Sequence, residues 1–111
     1  MAPFYSEGNP MTSNPHDKLR RKRLFEIGAL EFSPGIERLM DEGWLDPMPF
    51  FERHMRADWG DVPDDHWLRN NVALKSGGRL DSHYVVTRDL RIRILTEADR
   101  SATRIVLPAE D

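Results

Sequence analysis

Cysteine is absent from the chain, which excludes disulfide bonds, thiolate metal ligands and a cysteine nucleophile. Long apolar runs are absent as well: no stretch approaches the ~20 residues that a membrane-spanning helix needs. The first residues lack the basic start and apolar core of a secretory signal. Strong net charge is also missing, since the formal value is −3 at pH 7. We therefore predict a cytoplasmic protein without a membrane partner, in which local clusters of charge carry any attraction to nucleic acid.

A chain of 111 residues has room for one domain with a small core. Residues 1–17 are rich in Pro, Ser, Asn and Gly, a composition typical of a disordered or loosely docked tail. Met11 lies in this tail and is an alternative to Met1 as the natural start. Residues 18–111 are predicted to form the single domain.

Three helices are predicted in the first two thirds of the chain. Ser33 is a good N-cap and Pro34 suits the first helical position, which predicts a helix over residues 34–42. A similar start predicts a second helix over 47–57, and an acidic first turn predicts a third over 64–75. The predicted buried set comprises Ile36, Leu39, Met40, Trp44, Leu45, Trp59, Trp67, Asn71 and Leu74, widened by Leu68 and Val72.

After the glycines at positions 77 and 78 the apolar period changes from about 3.6 to 2, which indicates strands. The alternation predicts three strands near residues 80–86, 90–95 and 102–107. A basic run followed by apolar residues predicts an edge strand over 21–27. The predicted class is α+β, with about three helices packed on one face of a small antiparallel sheet of three or four strands.

An acidic cluster beside a glycine turn consists of Asp58, Asp61, Asp64 and Asp65. A solvated surface of this kind can bind a basic groove, so we predict that these residues contact a partner. Their other use is structural, because aspartate also caps helices and turns. His54 and His66 flank the cluster, but the spacing does not match an EF-hand loop. No metal site and no cofactor are assigned.

Two basic groups are candidates for binding a partner or nucleic acid. The solvent face of the predicted sheet carries Arg91, Arg93 and Arg104. The basic run near the start of the domain consists of Lys18, Arg20, Arg21, Lys22 and Arg23. Either group can contact phosphates, or can instead be a solvated flank that discourages aggregation at a strand edge.

A catalytic hypothesis needs three residues in one concave site: His54, Arg79 and His83. His54 lies one helical turn before Asp58, so a carboxylate could orient its imidazole as a general base. Arg79 and His83 open the first strand of the predicted meander, and arginine can stabilise phosphate charge. A binding function requires only a flat or convex charged surface.

Three motifs stand out in the second half of the chain: DWGD at residues 58–61, GRLDS at 78–82 and ILTEADRS at 94–101. Together they resemble a family of small uncharacterised proteins carried on plasmids, integrative elements and phage-like islands, over about residues 50–108. Ala57 stands where the family more often has glycine, and Arg93 stands where an aromatic residue is common. The resemblance implies a mobile-element setting, in which small proteins often inhibit host defences or act as toxins.

The last strands also resemble those of barnase-type toxin ribonucleases, through Arg79, Leu80, Ser82, Thr96 and Thr103. That resemblance implies RNA cleavage without metal by His, Glu and Arg. The chain departs from it, because its last strand has no histidine and no clear glutamate base lies on a preceding strand.

The leading hypothesis is a small mobile-element accessory protein that acts as a binding or inhibitor module on a host protein or nucleoprotein complex, for example of the anti-CRISPR or anti-restriction type. The alternative is a small metal-independent nuclease of the barnase or toxin type. The second alternative is a nucleic-acid-binding accessory protein.

Overall fold

The computed structural model describes residues 23–110. The predicted tail, Met11 and the basic positions from Lys18 to Lys22 lie outside the described residues. In chain order the described elements are β1 (Ala29–Phe32), α1 (Pro34–Asp41), α2 (Met48–Met55), α3 (Asp64–Ser76), β2 (Leu80–Thr87), β3 (Leu90–Thr96), β4 (Ala102–Val106) and a 3-10 helix (Pro108–Glu110). The predicted α+β class is confirmed.

The four strands form one sheet in the order β1-β4-β3-β2. β2, β3 and β4 make the predicted antiparallel meander, with Ser82 opposite Ile94 and Ile94 opposite Ile105. The prediction of an edge strand over 21–27 is wrong for the described positions 23–27: the strand lies at Ala29–Phe32 and runs parallel to β4. A parallel pair needs a long crossover, which the three helices and two strands between β1 and β4 supply.

Gly28 explains where the edge strand starts. It adopts φ +63° and lies so close to Ser101 that a Cβ atom would be 2.3 Å from the backbone of that residue. The amide of Ala29 then donates to the carbonyl of Ser101 at 3.0 Å, which opens the pairing with β4. Phe25, within the segment predicted as a strand, instead stacks on the ring of Trp59 with centroids 6.4 Å apart.

Local capping signals place the helix ends close to the predictions. Ser33 Oγ accepts the amide N–H of Ile36 at 3.3 Å, and Pro34 is the first residue of α1. α2 is shorter than predicted, because Ala57 turns the chain with φ +64°. The bounds of α3 match the prediction to within one residue. Within residues 23–110, none of the helices has the length and apolar content that crossing a bilayer requires.

The inner face of the sheet packs against α1 and α2 and holds the main core. The core is built from Ile36, Leu45, Phe51, Met55, Tyr84, Ile92, Ile94 and Ile105. Trp59 is fully buried, as predicted. Leu95 and Val106 alternate onto the outer face and are buried as well, so that face is only partly solvated.

Part of the predicted core is exposed. The exposed fraction is 70% for Trp44, 64% for Leu68 and 59% for Val72, and Trp67 is half-buried. The reason for the last three is the position of α3, which lies along the edge strand β2 rather than over the sheet. It contacts β2 through one narrow side centred on Asn70, which is buried.

Candidate functional site

β2 separates the polar side chains into two clusters. Because successive residues of a strand point to opposite faces, Ser82 lies on the inner face, and Asp81 and His83 lie on the outer face. His54 from α2 joins Ser82, whereas His66 from α3 joins the outer pair. The two clusters differ in burial and in hydrogen bonding.

On the inner face, His54 belongs to an unbroken chain of hydrogen bonds. The hydroxyl of Thr103 donates to the carbonyl of Ile27 at 2.8 Å, so it accepts from Thr96, 2.8 Å away. Thr96 Oγ1 then accepts from His54 Nε2 at 2.9 Å, which leaves Nδ1 to accept from the Ser82 hydroxyl. The order of donors assigns a neutral imidazole with its proton on Nε2.

Complete burial keeps His54 neutral. Burial, with a smaller contribution from the charge of Arg100, lowers the pKa of His54 to about 3. Its partners Ser82, Thr96 and Thr103 are also fully buried. Serine beside histidine is the residue pair of many nucleophilic sites, but a substrate cannot reach this pair in the observed fold. The inner cluster is a satisfied polar network within the core.

The free edge of β2 is covered by α3 and by the DWGD motif. Asn70 Nδ2 donates to the carbonyl of Asp81 at 2.8 Å, and Asn70 Oδ1 accepts the amide of the same residue at 3.2 Å. The amide of His83 donates to Trp59 at 3.2 Å, and its carbonyl accepts from Asp61 at 2.7 Å. Unpaired strand edges can template pairing with another chain, so this cover protects β2.

The DWGD motif has a structural role at each polar position. Asp58 pairs with Arg53 at 2.8 Å, and this bond is the main cause that lowers the pKa of the carboxyl group. Asp61 Oδ2 accepts the amide of Val85 at 2.9 Å. Gly60 adopts φ +78° and lies so close to β2 that a Cβ atom would be 2.1 Å from a backbone oxygen of that strand.

On the outer face, Asp81 is the centre of a half-buried cluster. Its Oδ2 accepts from Arg93 Nη2 at 2.9 Å and lies 3.9 Å from His66 Nε2. Its Oδ1 lies 3.2 Å from His83 Nε2. The rings of His66 and His83 meet edge to face with centroids 5.4 Å apart. In the described part of the chain, neither Asp81 Oδ1 nor His83 Nε2 has a hydrogen-bond partner.

A cavity of about 300 Å³ opens to solvent beside this cluster. It is lined by His66, Arg69, Asn70, Ala73, Arg79 and Asp81. His83 lies next to it, and burial lowers the pKa of His83 against the opposing charge of Asp81. The cavity therefore combines imidazole, guanidinium and carboxylate groups.

The three residues of the nuclease hypothesis do not meet. His54 lies in the inner core, whereas Arg79 lines the outer cavity and His83 belongs to the outer cluster. The sheet stands between them, because the alternation of β2 sends residues 82 and 83 to opposite faces.

The predicted acidic surface is divided by the fold. Asp64 and Asp65 are exposed in the first turn of α3. Asp58 and Asp61 are engaged by Arg53 and by the amide of Val85, so they serve the local structure. Among the four aspartates, Asp61, Asp64 and Asp65 are exposed, and Asp58 is paired with a cation.

The predicted arginine surface is also altered by pairing across strands. Arg91 is exposed, whereas Arg93 and Arg104 are half-buried. Arg93 pairs with Asp81, and Arg104 pairs with Glu97. The prediction of three arginines on a solvated face is therefore wrong for two of them, because acidic residues on the same face neutralise their charge.

Sequence reasoning assigned the buried asparagine of α3 to the wrong position. Asn71 was expected to be buried, but it is exposed and accepts from Trp59 Nε1 at 2.9 Å. Asn70 is the buried one. Its spacing of four from His66 places both on one side of the helix, and the bonds from both to the carbonyl of Asp81 identify that side.

Arg100, the arginine of the ILTEADRS motif, joins two elements that are distant in sequence. It adopts φ +62°, and its guanidinium donates to the carbonyls of Gly78 at 2.6 Å, Glu97 at 3.1 Å and Ala73 at 3.3 Å. These bonds join the C-terminal end of α3 to the turn between β3 and β4. A basic side chain often bonds the last carbonyls of a helix. Arg100 does this for α3 from a position 27 residues beyond Ala73, so no local sequence signal reveals it.

No protein-family model matches the chain, and neither a curated protein nor a solved structure matches it. The resemblance to proteins of mobile elements therefore stays a prediction.

Proposed function

We propose that this chain is a small binding module that acts on a basic surface of a protein or nucleoprotein partner through the exposed side of α3. The observation that carries the proposal is the pair Leu68 and Val72, exposed by 64% and 59%, beside the exposed Asp64 and Asp65. The resemblance to proteins of plasmids and phage-like islands supports a counter-defence role, as an inhibitor of a host complex.

The two apolar side chains provide a contact that burial would stabilise. Leu68 and Val72 are four residues apart on α3, so they form one ridge on its outer side. Large apolar groups on an exposed helix face are a common feature of helix-in-groove recognition. The groove of the partner would receive this ridge.

The aspartates at the N-terminal end of α3 define the charge of that partner. Asp64 and Asp65 are exposed in the first turn of α3, about one turn before the ridge. Opposite charge on the partner accelerates encounter and sets orientation more than it adds affinity. The fitting partner surface is therefore an apolar groove with a basic rim.

α3 presents this surface in a preorganised form. Asn70 and His66 bond it to β2, and Arg100 bonds its C-terminal end. A surface that is already ordered loses less conformational entropy on binding.

The test compares two double variants of α3 with two single control variants. Each is used to capture host complexes from cell extracts, and the binding kinetics are then measured with the captured partner. Asp64→Lys/Asp65→Lys should slow association and remove its salt dependence, and Leu68→Ser/Val72→Ser should speed dissociation. The matched controls are Glu42→Lys, an exposed acid at the C-cap of α1, and Trp44→Ser, an exposed apolar residue elsewhere. Both controls should bind like the wild type.

The proposal fails if the captured complex is retained by both α3 variants, or if either control loses it equally. Binding of DNA or RNA alone that requires Arg91 would instead support the nucleic-acid accessory function. Circular dichroism on each variant separates loss of binding from loss of fold.

A small nuclease is the second candidate, and the outer cavity is the observation that favours it. The cavity brings His66 beside Arg69 and Arg79, which is the pairing of imidazole and guanidinium that phosphodiester cleavage needs. Purified protein would be incubated with RNA and with single- and double-stranded DNA, in EDTA and in Mg²⁺. Cleavage lost in Arg79→Ala, His83→Ala and His66→Ala would support the nuclease over the binding module, whereas no cleavage in any condition would exclude it.

A further inference from the structure

Two buried polar atoms face each other on the outer side of β2. Asp81 Oδ1 and His83 Nε2 are buried, lie 3.2 Å apart, and have no hydrogen-bond partner within residues 23–110. An unsatisfied buried polar atom is costly, and two of them in contact are rarer still. An electropositive group between these atoms would satisfy both.

We propose that His66, Asp81 and His83 form a binding site for a transition-metal ion of the Zn²⁺ type. One ligand atom of each residue lies within 4.8 Å of the ligand atoms of the other two. The site goes beyond the proposed partner surface, which lies on the other side of α3.

The spacing of the ligands fits such an ion. Nitrogen and oxygen ligands bind Zn²⁺ at about 2.0–2.2 Å, so two ligands of a tetrahedral site lie about 3.3 Å apart. The separation of 3.2 Å between Asp81 Oδ1 and His83 Nε2 matches this value. His66 Nε2 lies 3.9 Å from Asp81 Oδ2, and the three ligand atoms lie within 4.8 Å of one another, so the His66 ring would have to move toward the ion.

The hydrogen bonds around the site leave Asp81 Oδ1 accessible, whereas His66 would have to give up one bond. Arg93 Nη2 holds Asp81 Oδ2 at 2.9 Å, which orients the carboxylate and leaves Oδ1 as a single oxygen ligand. His66 Nε2 donates to the carbonyl of Asp81 at 2.9 Å. Metal binding would replace this bond, and the ring of the neutral imidazole would then carry its proton on Nδ1. The carbonyl would keep its bond from Asn70 at 2.8 Å.

The ligand types select the class of metal. Two imidazoles and one carboxylate suit Zn²⁺, Co²⁺, Ni²⁺ or Cu²⁺, whereas Mg²⁺ and Ca²⁺ prefer oxygen ligands. Three protein ligands leave a fourth position for water or an anion, as in open zinc sites. Two of the ligands line the cavity of about 300 Å³, where Arg69 and Arg79 favour an anion in that position.

The experiment uses the full, untagged chain after removal of metals with a chelator. Titration with Co²⁺ should produce the visible absorption of a tetrahedral site at one ion per chain, and Zn²⁺ should displace it. His66→Ala, Asp81→Asn and His83→Ala should each weaken Co²⁺ affinity by on the order of 100-fold, since even an outer-shell change costs 10–100-fold. Ca²⁺ and Mg²⁺ should not compete.

Two variants control for unspecific binding. Asp65→Asn removes an exposed carboxylate next to His66 in sequence, and His16→Ala removes a histidine outside the described residues. Both should keep wild-type Co²⁺ affinity. If one ligand variant fails to fold, as judged by circular dichroism, the other two decide the assignment.

Three results would overturn the proposal. The first is no spectral change with Co²⁺ and no heat of Zn²⁺ binding. The second is affinity that the ligand variants leave unchanged. The third is affinity that is lost in His16→Ala.

Discussion

His54 and His83 lie on opposite faces of the same sheet, on either side of β2. His54 has no exposed surface and both ring nitrogens are bonded, to Ser82 and to Thr96. The side chain of His83 is 38% exposed, and its Nε2 atom faces a carboxylate oxygen without a hydrogen bond to any described residue.

The comparison shows how one residue type serves two purposes in a small domain. A buried polar group must be fully bonded, and a complete network then specifies one packing of the core. A half-buried group with an available lone pair costs stability but can bind a ligand. The inner histidine therefore serves the structure, and the outer one is the proposed metal ligand.

Truncation of the two histidines is the most direct way to break this comparison. His54→Ala should lower the free energy of unfolding by about 3–5 kcal/mol, because it leaves a cavity and removes the partner of Ser82 and Thr96. His83→Ala should cost less than about 1 kcal/mol. Urea denaturation measures both, and equal losses would contradict the assignment.

The tryptophans sharpen the contrast between buried and exposed packing. Trp59→Ala should cost about 3–5 kcal/mol, because the ring is fully buried beside His54. Trp44→Ala should stay within about 0.5 kcal/mol, since that side chain is 70% exposed. The half-buried Trp67 should fall between them in the same urea titrations. A loss under about 1 kcal/mol for Trp59→Ala would reject its place in the core.

The pH dependence of stability separates the histidines in the wild-type protein. His54 has a pKa of about 3 in the fold, against a usual value of 6.5, so the unfolded chain binds a proton first as the pH falls. As far as it depends on His54, the free energy of unfolding is highest above pH 6.5. Below that pH it decreases by about 1.4 kcal/mol per pH unit. Urea denaturation between pH 7 and 4.5 measures the slope before the carboxylates titrate.

The pKa of His83 is lowered as well, so His83 also contributes to the pH dependence of stability. A variant without His83 is therefore needed as a control. His83→Gln should keep most of the dependence, because the fully buried His54 contributes the larger part. A flat profile, or a slope that disappears in His83→Gln, would contradict the assignment of His54.

The boundary between the two faces is the covered edge of β2, and Asn70 is its simplest test. Asn70→Ala removes the bond to the buried amide of Asp81 and should cost about 1–3 kcal/mol. Lys75→Ala, on the exposed side of the same helix, should change stability by less than about 0.5 kcal/mol. Thermal unfolding of both variants measures the difference, and equal melting temperatures would show that Asn70 does not hold the edge.

The smallest expected effect concerns the turn that leads from α2 to the edge. Ala57 adopts φ +64°, where glycine is favoured, so Ala57→Gly should raise stability by about 0.5–1 kcal/mol. The same change inside α3, Ala73→Gly, should lower stability by about 1 kcal/mol. Opposite signs in thermal unfolding confirm that backbone strain is the cause.

The amino-acid sequence by itself determined the elements whose signals are local. Ser33 and Pro34 start α1 through contacts within one turn, and the period of 2 after residue 78 places three strands and their inward residues. These features depend on neighbours a few positions apart, so the α+β class and the burial of Trp59 were predictable.

Only the tertiary structure decided which of these elements meet. Arg93 is neutralised by Asp81, His66 joins His83 across seventeen positions, and Leu68 stays exposed because α3 lies on a strand edge. Such contacts depend on the order and direction of the strands, which periodicity does not encode. The sequence therefore predicted the faces of β2, and the packing of α2 and α3 on either side of that strand decided which histidine became part of the core and which stayed accessible.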